Sequence, residues 1–560
     1  MKYYTIGVDY GSASVRAIVV DAATGKEIAC GVYEYQFGEE GNWLDRNEPT
    51  MVRQHPEDYV KGLEASITDA LKKAQLTADF SIDAVVGIGI DTTGTTMLPV
   101  LADGTPLACL PMFKDNPNAY IWLWKDHTAT REAKEITEKA LADRPAYMHM
   151  VGGSYSAESY WAKVLHCLRV DKSVYDSAYD WMEVADWIPF LLTGKTHVGE
   201  AVHNMCTATH KALYSPQWGG YPDKDFLVSL DPTLEKLHRR LEKAKVLACD
   251  QPAGMLIRQW AVRLGLPEHV VVATSALDAH FGGIGAGIRP GTLVKILGTS
   301  SCDLAVVTKH SLPVNIGGSV SIAHDSIIPG YLGIEAGQSA VGDIFNWFIS
   351  GIQPQNMSHV QLEKEASLLR PGQSGLLALD WLNGNRTILG DQLLSGLVLG
   401  LSLQTTAVEL YQALIEAAGF GARIIHSHLE KHGIPVEEII MCGGIPSKNA
   451  HLMQTYADIF RKPLRVAGSH YTSALGGAIV AAVCAGIHPS IEEAIKVMTS
   501  LSEVVYFPRE KEPIIYDRLF NLYKDLHDCF GRPGHSLDMY PVMKELLHIK
   551  EETRAIYKKK

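Results

Sequence analysis

The stretch Thr5-Ile6-Gly7-Val8-Asp9-Tyr10-Gly11-Ser12-Ala13-Ser14-Val15-Arg16-Ala17-Ile18-Val19-Val20-Asp21 reads as two apolar runs hinged on a polar corner. Apolar residues lead up to Val8, Asp9 to Ser14 form the corner, and Ala17 to Val20 lead away. That pattern predicts a strand, a tight turn and a second strand. Gly11 lets a ligand approach the main chain closely. Successive N–H groups beside the Ser12 and Ser14 hydroxyls form a concavity suited to phosphate oxygens. The alternative is an ordinary β-hairpin with a Gly-Ser corner.

A second stretch echoes the first. Thr292-Leu293-Val294-Lys295-Ile296-Leu297-Gly298-Thr299-Ser300-Ser301-Cys302-Asp303-Leu304-Ala305-Val306-Val307 again runs from an apolar strand through Gly and hydroxyls into another apolar strand. Such internal similarity predicts a duplicated plan. The copies differ two residues before the glycine, where the first has Asp9 and the second Ile296. Two phosphate loops with one carboxylate between them suit a nucleotide and a divalent cation, because Mg²⁺ prefers oxygen ligands.

Working outward, Lys26 to Tyr35 predicts a third strand, and His55 to Ala74 a helix with Tyr59, Leu63, Ile67 and Leu71 on one face. Ala84 to Ile90 predicts a buried strand that ends in Asp91-Thr92-Thr93-Gly94-Thr95-Thr96 and continues as Met97 to Leu101. Helical patterns fill Tyr120 to Ala140 and Ser156 to Val170. Val270 to Thr274 predicts a strand running into the glycine-rich segment Ser275 to Gly287, which opens with Asp278. Ile288-Arg289-Pro290-Gly291 marks a boundary, giving domains 1–287 and 288–560. In the second half, strand Glu437 to Met441 meets Gly443-Gly444, then a helix with Leu452, Tyr456 and Ile459 on one face and Ser447 as its expected cap. Strand, Gly-Gly and helix N-terminus form either another phosphate site or a plain βαβ turn. Leu475 to Ile487 reads as a buried helix whose small residues admit a close neighbour.

At 560 residues the chain exceeds one hydrophobic core, and 46% hydrophobic with 20% charged residues is ordinary for a globular protein. A net charge of −12 argues against nucleic-acid partners. Nine scattered cysteines without metal spacing, no signal-peptide pattern and no apolar run long enough to span a bilayer predict a cytoplasmic protein without a membrane partner. A homodimer is compatible with this reading. The closing Lys558-Lys559-Lys560 is read as a solvated terminus.

With two hairpin phosphate loops, a late Gly-Gly turn and an acid before a glycine-rich segment, the chain resembles the FGGY carbohydrate kinases of the actin/hexokinase/chaperone-ATPase superfamily. Trp124-Lys125-Asp126-His127-Thr128-Ala129 and Glu335-Ala336-Gly337-Gln338-Ser339 resemble the ribulokinase branch of that family. Gly87 to Gly94, Asn116-Pro117-Asn118-Ala119 and Gly298 to Asp303 add to the likeness, which covers nearly the whole chain. The chain lacks the Arg of the Trp-x-Asp-x-Arg pattern common in xylulose kinases.

The resemblance implies an α/β fold of two actin-like (ribonuclease H-like) ATPase domains with a nucleotide and sugar cleft between them. It implies ATP-dependent phosphorylation of the 5-hydroxyl of L-ribulose, with Mg²⁺. Its rivals are a kinase of xylulose, ribitol or glycerol, a non-catalytic nucleotide switch, and an idle sugar sensor. Asp278 is expected as the base that receives the hydroxyl proton; its alternative is a helix cap. Asp9 is expected to hold Mg²⁺, or else to bond its own turn. Gly11, Ser12, Gly298 and Thr299 are expected around the phosphates, and Gly443, Gly444 and Asn449 around the α-phosphate and adenine. For the sugar the resemblance points to Gly94, Thr96, Lys211, Asp278 and Glu335. Asp91 is read as a polar group at the cleft floor or a loop cap, and Trp124 and Trp161 as sugar-lining or core. His280 is read as packing or as orienting Asp278, and the histidine spacing suggests no zinc site.

Overall fold

The computed structural model describes residues 2–309, 316–352 and 357–558. Met1, Lys559 and Lys560 of the terminal stretches read above lie outside them.

The first hairpin forms as expected. Strand β1 (Tyr4–Tyr10) is buried throughout and pairs antiparallel with β2 (Ser14–Asp21), which pairs with β3 (Glu27–Glu34). On its other side β1 lies parallel to β4 (Val85–Thr92). Strands β5 (Pro252–Met255), β6 (Val271–Ala273) and β7 (Ala276–Leu277) complete the sheet, in the order β5-β6-β4-β1-β2-β3 with β7 beside β4. Helix α1 (Pro56–Ala74) buries Tyr59, Leu63, Ile67 and Leu71, the face its spacing predicts. Pro56 at its first turn costs no hydrogen bond, and Lys72 and Lys73 suit its negative C-terminal end.

The second half repeats this plan. Strand β8 (Thr292–Leu297) pairs antiparallel with β9 (Ser301–Thr308), with β10 (Ser321–His324) and β11 (Tyr331–Ala336) beyond it. On its other side β8 is parallel to β12 (Glu438–Cys442), followed by β13 (Leu464–Ala467) and the antiparallel β14 (Leu501–Tyr506). The order β11-β9-β8-β12-β13-β14 therefore matches β3-β2-β1-β4-β6-β5 strand for strand and direction for direction. A separate five-stranded sheet in the first half joins Trp43–Asp45, Glu48–Gln54, Ile121–Trp122, Met97–Val100 and Asp180–Glu183. The stretch after Thr96 thus leaves the main sheet and enters this one.

Four short helices matter for the site: α2 (Met205–Ala212), α3 (Asp278–Gly285), α4 (Ala450–Phe460) and α5 (Thr472–Cys484). Helix α5 belongs in sequence to the second half but lies against β1 and β4 of the first. A Cβ on Gly7 would fall 1.7 Å from the Ala474 carbonyl oxygen, and one on Gly89 would fall 1.9 Å from that of Gly477. The small residues read in Leu475 to Ile487 serve this contact. One apolar cluster consequently runs from Ile18 and Val20 through Phe281 and Ala478 to Val294 and Leu304. Each fully buried Ile or Val in it contributes about 1.5–3 kcal/mol.

Two local expectations fail for a physical reason. Tyr120 to Ala129 is not helical; Ile121–Trp122 is a strand and the helix begins at Thr130. Asp126 accepts from the Val52 N–H at 2.8 Å and the Thr128 hydroxyl at 2.6 Å and pairs with the fully buried Arg53, so its side chain fixes a loop. Helix α4 is capped by Asn449, which accepts from the Leu452 N–H at 2.7 Å, whereas Ser447 donates back to the Gly444 carbonyl. The more distant helix of this region, Tyr160–Val170, starts four residues later than its pattern suggests.

Candidate active site

The register of the first sheet gathers charge at the ends of its central strands. Asp9 stands opposite Asp91 on β4 and opposite Arg16 on β2, whose Nη1 is 3.2 Å from its carboxylate. The matching position of the second sheet, Ile296, stands opposite Cys442 and Cys302. The difference between the two hairpins therefore extends across three strands.

Asp91 is fully buried, and its carboxyl oxygens find no partner but the carboxyl of Asp9. Burial and the charges of Asp9 and Asp278 push its pKa far up. Asp278 lies half-buried at the first turn of α3, where burial and then the charge of Asp9 raise it to about 7, against the Ala279 N–H that its Oδ1 accepts at 2.7 Å. The cap position of α3 is Leu277, so Asp278 is not a helix cap. Three carboxylates thus converge on one spot.

Of the three, Asp278 lines a cavity of about 230 Å³ between the two halves, with Asp9 and the fully buried Asp91 behind it. Ser12 and Trp124 line one side, and the Trp124 ring N–H donates to the Ser12 hydroxyl at 2.9 Å. Gly298 and Thr299 line another as exposed loop tips. The Gly443 turn, at φ 98°, sits against the end of β8, where a Cβ would meet the Leu297 carbonyl oxygen at 2.3 Å. Gly443 therefore borders the second hairpin, and neither it nor Gly444 nor Asn449 lines the cavity. Gly11 turns the first hairpin, donating to the Ser14 carbonyl at 3.0 Å.

Near Asp278, Thr93 and Gly94 also face the cavity. Thr96 lies behind them; its N–H is taken by Glu183, its carbonyl by the Val184 N–H, and its hydroxyl by Thr93. Lys211 at the end of α2 and Glu335 on β11 meet across the cleft, Nζ to Oε1 at 2.9 Å. The other oxygen of Glu335 accepts from His280 at 3.1 Å. Burial would raise Glu335, but Lys211, His280 and His210 together hold it well below the usual range. His280 accordingly serves Glu335 rather than Asp278, and its second nitrogen contacts Cys206. His210, His280 and Glu335 come close enough to share a cation, but both His210 nitrogens are held by Ser321 and Ser326, and Lys211 opposes positive charge there. Trp161 is core, its ring N–H bonded to the Ala212 carbonyl.

Two wall residues, Arg386 and Glu158, and one neighbour of Asp9, Arg16, escaped the sequence reading. Arg386 lines the cavity and donates to the Ser301 carbonyl at 2.7 Å. Glu158 faces it; burial works to raise that carboxyl, but the His127 hydrogen bond and the Arg386 and Lys211 charges bring it down to about 2. Arg386 sits in a loop with no periodicity to flag it, and Glu158 falls in the turn just before Tyr160–Val170, inside a pattern read as helix. Arg16 was findable, since a tight hairpin puts residues 9 and 16 opposite each other.

The duplicated sheets, the two hairpins on a shared cleft and the acid cluster describe a phosphotransferase cleft. The model of the FGGY family of carbohydrate kinases, N-terminal domain, matches residues 4–285, and that of the C-terminal domain matches residues 293–485. The chain belongs to the FGGY family of carbohydrate kinases. As such it is an enzyme that takes a carbohydrate and ATP as substrates. It is 40% identical to a ribulokinase of Halalkalibacterium halodurans, over 98% of this chain and 97% of that protein. It is 39% identical to a ribulokinase of Anoxybacillus flavithermus, over 99% and 98%. Among solved structures it resembles a xylulose kinase from Lactobacillus acidophilus (TM-score 0.78, 19% identity, 95% of this chain and 99% of that one). It also resembles Plasmodium falciparum glycerol kinase with ADP (TM-score 0.76, 14% identity, 96% and 99%). These structural likenesses concern the fold. Among the described residues no helix is long and apolar enough to cross a membrane, and all nine cysteines are free.

Proposed function

We propose that this kinase transfers the γ-phosphoryl group of ATP to the 5-hydroxyl of L-ribulose. The observation that carries the reading is near-full-length similarity to proteins named ribulokinase, joined to a cleft whose sugar side holds Lys211, Glu335 and Asp278. Residues 1–287 form the sugar-binding half in this reading and 288–560 the nucleotide half.

Phosphoryl transfer needs positioning, charge stabilisation and a proton acceptor. Asp278 takes the proton of the attacking hydroxyl. Its raised pKa suits that task, because a base near neutrality both ionises and accepts well. Ser12 and Thr299 hold the phosphate oxygens through backbone N–H and hydroxyl groups, while Gly11 and Gly298, whose own N–H groups close the two turns, let the phosphates approach the main chain. Gly443, Gly444 and Asn449 flank the rest of the nucleotide. Lys211, Glu335 and the Gly94 loop read the sugar hydroxyls. Arg386 adds positive charge in the cavity wall, and Arg16 adds it beside Asp9.

Asp9 and Asp91 fit a Mg²⁺ ion: both are oxygen donors on adjacent strands, and the Asp91 oxygens, met only by the Asp9 carboxyl, call for a partner. When bound, Mg²⁺ neutralises charge on the phosphates.

The test is a panel of ketopentoses and polyols in a coupled ADP-release assay. L-Ribulose should give the highest kcat/KM. A higher value for xylulose, ribitol or glycerol overturns the assignment.

A further inference from the structure

Lys163, on the helix Tyr160–Val170, is completely buried. Its ammonium pairs with no carboxylate among the described residues. It donates instead to two main-chain carbonyls, Thr95 at 2.7 Å and Leu123 at 2.8 Å. Burying an ammonium group is costly unless it is well paired, and an apolar side chain of similar length would fill a core without that cost. A lysine held there by carbonyls alone points to a task for the two segments it joins.

Those segments are both walls of the cleft. Thr95 follows Gly94, which faces the cavity. Leu123 precedes Trp124, which also faces it and reaches Ser12 of the first hairpin. From the opposite side Glu183 holds the Thr96 N–H at 3.2 Å, and the Val184 N–H holds the Thr96 carbonyl. The loop from Gly94 to Thr96 is therefore pinned between a buried lysine, whose amine donates to it, and a buried acid that accepts from it. Lys163 itself does not line the cavity, so it has no direct part in binding or in phosphoryl transfer.

We propose that Lys163 is a positioning residue for the sugar subsite: one ammonium ties the Thr95 and Leu123 carbonyls and thereby sets the spacing between Gly94 and Trp124. A subsite of fixed width favours a ketopentose over a smaller polyol that leaves its polar groups unpaired. The inference rests on reading this cavity as the sugar site. The substrate panel on the unmodified enzyme tests that reading first, and the Lys163 variants are then measured on whichever sugar that enzyme prefers.

Lys163→Met keeps length and removes the donors. It should raise the sugar KM by about tenfold or more, since the Thr95 carbonyl loses its partner and the Leu123 carbonyl keeps only the Asp126 N–H. The ATP KM should rise much less than the sugar KM, because of the phosphate loops only Ser12 is reached, and that through Trp124. Preference for the ketopentose over glycerol should narrow. Lys163→Gln, whose amide reaches one carbonyl, should fall between, and it carries the test if the methionine variant does not fold. An unchanged sugar KM in a folded variant overturns the proposal, as does an equal rise in both KM values. Loss of folding in both variants also overturns it, because it makes Lys163 a residue of the fold rather than of the subsite.

Discussion

Asp278→Asn separates the catalytic reading of this cleft from a structural one. The substitution keeps the shape of the side chain and an oxygen for the Ala279 N–H, and the cap of α3 is Leu277, so no cap is lost. Only the proton acceptor goes. Loss of a general base costs about a hundred- to ten-thousand-fold in rate, or ~3–5 kcal/mol of transition-state stabilisation. Stability should move the other way. The folded pKa of Asp278 is raised from 3.8 to about 7. Below pH ~4 both folded and unfolded states hold the proton and the group contributes nothing. As pH rises from ~4 to ~7 the unfolded carboxyl ionises first, so a destabilising contribution grows and is complete above ~7. The full shift is a ceiling of ~4 kcal/mol; because the carboxyl opens on the cleft, solvent screening leaves ~1–2 kcal/mol. Metal-free Asp278→Asn should therefore melt with the wild type at pH 4 and above it at pH 8. In the wild type, kcat/KM for the sugar should rise with pH and level off at or below about pH 7, since Mg²⁺ would cancel part of the Asp9 charge that raises the base. Single-turnover phosphoryl transfer at saturating ATP and sugar is the deciding assay. A folded Asp278→Asn enzyme near the wild-type rate refutes the general-base assignment.

Asp9→Asn should shift the Mg²⁺ concentration for half-maximal activity upward, while Ile296→Val at the matching place should cost only ~0.5–1.5 kcal/mol of stability; an unaltered Mg²⁺ titration would reduce Asp9 to a turn residue. Lys211→Met should raise the sugar KM and leave the ATP KM nearly unchanged, and the Glu335 carboxyl should titrate higher once its ammonium partner is gone; wild-type sugar kinetics would remove Lys211 from the subsite. Gly89→Ala should lower stability by ~1–3 kcal/mol through overpacking, because its methyl group meets the Gly477 carbonyl oxygen at 1.9 Å; an unchanged urea midpoint would contradict the close approach of α5.

What the chain states locally was legible. The two hairpins, helix α1 and the buried helix α5 are encoded by apolar spacing and glycine corners within a few residues, and the echo between Gly11 and Gly298 anticipated the matching sheets. Side-chain competition with the backbone was not legible: Asp126 unmakes a helical pattern, and Asn449 takes the cap expected of Ser447. Pairing across the cleft was also hidden. Lys211 and Glu335 are 124 residues apart, and neither has a neighbour in sequence that announces the other. His280 was noticed for its closeness to Asp278 in sequence, yet a helical step turns its ring away to Glu335.

The Lys211–Glu335 pair ties sugar binding to the relation between the two halves. Lys211 sits on α2 of the first half and Glu335 on β11 of the second, and both are the residues proposed to read sugar hydroxyls. Without sugar they satisfy each other across the cleft, with their side chains mostly withdrawn from water. A hydroxyl that enters must keep the ammonium supplied with an acceptor and the carboxylate with a donor, because leaving either charge buried and unpaired is costly. A sugar hydroxyl does both at once, accepting from Lys211 and donating to Glu335, whereas a group with only one of these capacities leaves one partner short. Burial opposes the charged form of each residue, yet each holds the other charged. The subsite is consequently kept ready as a charge pair, with His280 fixing the second oxygen of Glu335 so that only the first is free to exchange Lys211 for substrate. Replacing one half of such a pair therefore weakens sugar binding at the contact between the halves, and an ATP KM measured side by side in the Lys211 and Glu335 variants separates that loss, which leaves it nearly unchanged, from a general loosening of the cleft.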